Sequence, residues 1–146
     1  MNTEVNYEIS KLLKDKGFKG STHANWWILH KDHHENYKKR LPVDESKVFF
    51  AKNSYDLDLK IQIDEEREHN VFHVLSAPAI AEVVMWLYEK HGIWIQVISK
   101  NTSTQMSFKY EIKRYEWDGC ITDDNLYNSP TEANESGIKH VLENLI

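Results

Sequence analysis

Four of the eight histidines in this 146-residue chain fall within THANWWILHKDHHENYKKR, residues 22 to 40, as His23, His30, His33 and His34. Neutral imidazole binds zinc and other borderline divalent metals, and a carboxylate can complete the coordination set. His30 stands three residues before His33 and four before His34, with Asp32 between them. A helix would bring His30 and His34 onto one face. The preceding Trp26, Trp27, Ile28 and Leu29 favour a strand instead, which leaves His30 at its end and the other imidazoles in a loop. The spacing matches no zinc signature, since there is no paired cysteine and no His-Glu-x-x-His. Solvated loop histidines are the default expectation, and a zinc or other divalent-metal site is the alternative. Because imidazole titrates near neutrality, a pH-responsive cluster is a third reading.

Other residues carry weaker chemical signals. His69 and His73 bracket HNVFH and would share one face of a strand, where structural or surface histidines are the expectation. Asp56, Asp58 and Asp64 fall on the polar side of a strand over residues 56 to 64, and paired carboxylates can hold magnesium or perform acid–base catalysis. Strand alternation demands polar residues there anyway, and Lys60 interrupts the row. Lys38, Lys39 and Arg40 could contact phosphates while Trp26 or Trp27 stacks on a base. Asp32, Glu35, Asp44 and Glu45 dilute that charge, so a solvated loop is expected. The single cysteine, Cys120, has no nearby histidine and reads as a buried structural residue. No glycine-rich phosphate loop occurs among the five glycines.

The elements that would position these residues follow from periodicity. TEVNYEISKLLKDKGF predicts a helix, with Thr3 as its cap and a stripe of Val5, Ile9, Leu12 and Leu13. Gly17 is its stop, and Phe18 folds back on the stripe. NWWILH predicts a short strand, and the polar DHHENYKKRLPVDES with Pro42 predicts a loop. KVFFAK and YDLDLKIQID predict a hairpin, and VFHVL a further strand. SAPAIAEVVMWLYEKHG predicts the central helix, capped at Ser76, tolerating Pro78 in its first turn and ending at Gly92. Its inner stripe is Ile80, Val83, Val84 and Leu87, while Met85, Trp86 and Tyr88 widen the apolar surface beyond one face.

IWIQVIS follows as a strand. MSFKYEIKRYEW then alternates Met106, Phe108, Tyr110 and Ile112 against polar neighbours, as a half-buried antiparallel strand does. Asp118-Gly119 marks a turn from which CIT returns toward the sheet. Ser129, Pro130 and Glu132 together form a helix start for SPTEANESGIKHVLENLI. The expected fold class is α+β, a mostly antiparallel β-sheet with an N-terminal helix, a central helix and a C-terminal helix packed on it. The length suits a single domain over residues 1 to 146, with 1–75 and 76–146 as the available subdivision.

Composition narrows the function classes. A chain with 40% hydrophobic and 28% charged residues reads as globular. No apolar run approaches the roughly 20 residues that span a bilayer, and the polar start MNTEVNYEISKLLKDK lacks the apolar centre of a secretory signal. A lone cysteine requires no oxidising compartment, so a cytoplasmic location away from membranes is expected. A formal charge of −5 disfavours a broad phosphate-binding surface and hence a nucleic-acid partner.

The C-terminal half carries a resemblance. SAPAIAEVVMWLYEKHGIWIQVIS, a strand pair and YNSPTEANESGIKHVLENLI together resemble small bacteriophage and prophage proteins of the phage ABA sandwich domain type. The matching turn holds Pro130, Glu132 and Ala133. That resemblance implies a helix, a short antiparallel sheet and a closing helix, with a mobile-element origin and no catalytic residue to carry over. The element order from Ser76 is also that of double-stranded-RNA-binding domains, but the last helix begins Thr131, Glu132, Asn134, Glu135 without a basic residue to grip phosphate. The expected function is a non-catalytic accessory or binding protein that engages a host protein or small ligand, or a second copy of itself, through Trp26, Trp27, Met85, Trp86 and Tyr88. The alternative is a metal-dependent hydrolase or nuclease built on the central histidines and aspartates.

Overall fold

The computed structural model describes residues 3–19, 25–30, 48–51 and 70–146. These residues sort into two compact units, one from residues 21–77 and the other from residues 1–20 with 78–146. In the first unit, β1 (Asn25–His30) lies between β2 (Val48–Ala51) and β3 (Asn70–Ser76), antiparallel to both. The predicted NWWILH and VFHVL strands are therefore present and pair with each other. Their register shifts between Trp26 and Trp27. Trp26 meets the ring of Phe50 edge-on at 5.4 Å between centroids, and Ala51 is buried. The second strand of the predicted hairpin, residues 55–64, lies outside the described residues, as does the loop 31–47.

The second unit contains α1 (Tyr7–Asp15), α2 (Ile80–His91), β4 (Ile93–Asn101), β5 (Met106–Arg114) and α3 (Pro130–Asn144). With every described strand pairing antiparallel and three helices in the order anticipated, the chain is α+β. α1 begins four residues later than Thr3. Asn6 caps it by accepting from the Ile9 N–H at 3.0 Å. Residues 3–5 are used otherwise. The Val5 N–H donates to the Pro78 carbonyl, and the Thr3 carbonyl accepts from the Ile80 N–H at 2.8 Å. That second bond satisfies one of the N–H groups a helix start leaves unpaired, and α2 needs it because its cap residue, Ala79, offers no side-chain acceptor. Ser76 is thus no cap. It ends β3, and Pro78 precedes the helix it was expected to open.

The helix ends follow local rules more closely. Gly17 and Gly92 take left-handed φ values of 80° and 64°, a conformation that a Cβ would strain. Phe18 folds back as anticipated, its N–H bonding to the Leu13 carbonyl. At α3, Ser129 Oγ accepts from the Glu132 N–H, the Glu132 carboxylate accepts from the Asn128 N–H, and Pro130 takes the first position. Val5, Ile9, Leu13, Val83, Leu87, Ile93, Ile112 and Ile138 converge in one core. Gly137 allows α3 its close approach to the sheet, since a Cβ there would lie 3.1 Å from both Ile95 Cγ2 and Tyr110 Cγ.

β4 and β5 form a ladder from Ile93 opposite Arg114 to Asn101 opposite Met106. The alternation in β5 holds for Tyr110 and Ile112, which are buried, and fails at its start, where Met106 is 56% exposed and Ser107 is buried. Ser107 Oγ satisfies itself on the Lys100 carbonyl. The CIT segment returns to the sheet through a single residue. Ile121 exchanges both backbone hydrogen bonds with Ile112, and Tyr127 does the same with Phe108. Cys120 just before it is exposed, contrary to the expectation of burial, because the chain between Tyr115 and Cys120 turns outside the ladder.

Candidate functional site

The residues singled out from sequence fall in different places. His30 ends β1 in register with Asn70, while His23, His33 and His34 lie outside the described residues. Trp27 stands in register between Phe49 and His73. His69, the aspartates 56, 58 and 64, and the basic run 38–40 are also outside the described residues. Among the described residues, no three metal-ligating side chains gather closely enough to hold an ion.

The three α2 residues separate according to their angle around the helix. Trp86 turns toward the core, where Phe18 meets it edge-on at 5.2 Å and His91 packs at 5.0 Å. Met85 and Tyr88 point outward, 44% and 54% exposed. A fourth residue joins them. Trp94 of β4 is 39% exposed and lies edge-on to the Tyr88 ring, with centroids 5.8 Å apart. The sequence signal for Trp94 was available in IWIQVIS, where alternation assigns Ile93 and Ile95 to the core and puts the indole between them on the other side.

Trp94 separates two recesses. On one side is a groove of about 550 Å³, bounded by Ile80, Val84 and Met85 of α2, by Trp94 to Val97 of β4, and by Pro130 and Asn134 at the start of α3. Its walls are chiefly carbon. On the other side, Tyr88, Glu89 and Gly92 face Lys113, Arg114 and the 98% exposed Tyr115. Lys113 sits 3.9 Å from Glu111, whereas Arg114 has no carboxylate partner among the described residues. The groove can hold apolar atoms, while in the recess beyond Trp94 the cations Lys113 and Arg114 are offset by Glu111 and by Glu89, which lines the same recess.

Two further clusters have perturbed acidity but a structural explanation. Burial, with the Asp123 carboxylate close by, pushes the Tyr110 phenol up to about 12. Burial likewise raises Tyr127, whose O–H donates to Asp123 Oδ2 at 2.6 Å. Thr122 Oγ1 donates to the Tyr110 carbonyl, so the cluster fastens the 121–127 segment to β5. Burial also raises the Glu135 carboxyl, outweighing the bond it accepts from the Asn6 amide, which ties α1 to α3. Comparison of the chain with known protein families, curated proteins and solved structures finds no match. Among the described residues no helix is long and apolar enough to cross a membrane.

Proposed function

We propose that this chain is a non-catalytic binding protein of phage or mobile-element type that engages a protein partner or a small ligand through the groove between α2 and β4. One observation carries the reading. Met85 and Trp94 expose large apolar side chains on the rim of a groove with apolar walls, and Tyr88 adds a third beside Trp94. A contiguous exposed apolar patch of this kind marks an interaction site more often than a stability feature. The mobile-element origin rests on the resemblance of the C-terminal half to phage ABA sandwich proteins.

A fragment screen read by amide NMR tests the site. Small apolar fragments should shift the resonances of Met85, Trp94 and Val97 together. A screen in which those resonances stay fixed while others move would place the binding surface elsewhere. Sedimentation of the wild type against Met85→Glu shows whether the partner is a second copy. A concentration-dependent dimer that the substitution dissociates assigns self-association to this surface.

A further inference from the structure

The recess beyond Trp94, about 550 Å³ in volume, differs from the groove in what its walls offer. Three exposed aromatic side chains open onto it, Tyr88, Trp94 and Tyr115. Tyr88 and Trp94 stand nearly perpendicular, with 84° between their ring planes, so the face of one ring and the edge of the other make a corner. That corner is set by regular structure. Tyr88 belongs to the last turn of α2, Gly92 turns the chain with its left-handed φ, and Trp94 is the second residue of β4. Trp94 pairs in register with Lys113, which brings Arg114 and Tyr115 to the same end of the hairpin. The charges at this end balance. Glu89 and Arg114 line one recess, yet neither is bonded to the other or to any other side chain among the described residues. Lys113 lies 3.9 Å from Glu111. No net charge is left to select an ion of either sign. A group that donates and accepts at once can use both Glu89 and Arg114, and the hydroxyl is such a group.

We propose that this recess binds a neutral saccharide, with a pyranose ring laid on Trp94 and its hydroxyls spanning Glu89 and Arg114. The site is separate from the groove and does not depend on the groove being occupied. The C–H bonds on one face of a pyranose carry partial positive charge and suit the negative face of an aromatic ring. Trp and Tyr side chains supply such a surface at little cost in conformational entropy. At the rim of the sugar, adjacent hydroxyls donate to the Glu89 carboxylate and accept from the Arg114 guanidinium, and hydrogen bonds with an ionised partner are the stronger kind. A purely apolar ligand would strip water from both charges and return nothing to them. An anionic ligand would meet Glu89, and a cationic one Arg114. At 98% exposure, Tyr115 gives up no internal packing in meeting a second sugar unit.

The test places the full chain on an array of neutral, acidic and amino oligosaccharides, then titrates it by NMR with the best neutral binder and, separately, with adenosine monophosphate. Neutral glycans should be retained over charged ones. The titration should move the Trp94 indole N–H and the Gly92 amide while Val97, which lines the groove and not the recess, stays fixed. Trp94→Ala should weaken binding by about tenfold or more, as loss of an aromatic anchor does, and Trp94→Phe should restore most of it. Glu89→Gln and Arg114→Gln should each weaken it about threefold or more with the circular dichroism unchanged. Both residues are exposed, so this pair decides the matter even if Trp94→Ala fails to fold. An array that retains no neutral glycan, or prefers charged ones, overturns the proposal. So does binding that ignores both Glu89→Gln and Arg114→Gln. If adenosine monophosphate moves Trp94 and Gly92 and the sugar does not, the corner stacks flat bases and the saccharide site falls.

Discussion

The hairpin's two edges have been treated in opposite ways by the same chain. Along β5, residues 121 and 127 each return to make a two-bond bridge, and the buried Tyr110 and half-buried Tyr127 with Asp123 fasten the segment between them. Along β4, the described chain supplies no such cover, and the neighbouring side chains are apolar. An exposed sheet edge is an aggregation hazard that proteins blunt with charge, proline or a bulge. From Trp94 to Ile98 the sequence WIQVI has none of these. Among the described residues that edge relies on cover by neighbouring apolar side chains, with Ile95 only 3% exposed, in place of strand pairing.

The contrast can be broken by substitution, and the largest effect should come from the residue that seats α3 against both strands. Gly137→Val would drive a branched side chain into Ile95 and Tyr110 and should cost ~3 kcal/mol by urea denaturation, the upper end of the cost of overpacking a tight contact, which the slightly better helix preference of Val over Gly offsets by only a few tenths. Next is alkaline pH. Tyr110 ionises at about 12 in the folded chain against 10.0 when unfolded. The native state therefore holds its proton longer, and the stabilisation, full below pH 10, is lost as pH rises toward 12. About 2 kcal/mol should vanish across that window, and Tyr110→Phe should flatten it.

Opening the closed edge should cost somewhat less. Ile121→Pro deletes the N–H that reaches the Ile112 carbonyl at 2.8 Å and should destabilise by about 1.5 kcal/mol in a thermal melt, the range for stranding a buried acceptor. The smallest effect belongs to the open side. Met85→Ala should stay within about 0.5 kcal/mol of wild type, as exposed substitutions do. A loss above about 2 kcal/mol would show that Met85 belongs to the core and would erase the distinction between the two sides.

How far these features could be read from sequence depended on whether their causes were local. The start of α3 was legible because Ser129, Pro130 and Glu132 act on one another within a single turn. Gly17 and Gly92 were legible because a left-handed stop needs only a missing side chain. Thr3 and Ser76 look like caps and are not, since residues 3–5 pair with 78–80, and a partner so distant leaves no mark on either stretch. Cys120 reads as buried by composition and is exposed, because the turn after Asp118 swings outside the sheet. Of the groove and the recess beside it, Met85 and Tyr88 were visible as apolar residues off the helix stripe. The open edge was not, because which backbone groups face outward depends on the register with β5 and on the bridges at 121 and 127.

The bonds that hold α1 also bear on the order in which the protein takes shape. Asn6 reaches Glu135, Glu8 pairs with Lys139, and Lys16 reaches the Ile146 carbonyl, partners separated by 129 to 131 residues in sequence. During synthesis the first helix leaves the ribosome long before any of these partners exists. Its partners around residues 78–87 come first, and the set is complete only once residues 135–146 have been made. Contacts that span so much of the chain slow the search for the native state. Refolding should accordingly be limited by docking of α1, and a nascent chain halted before residue 130 should leave that helix accessible to protease.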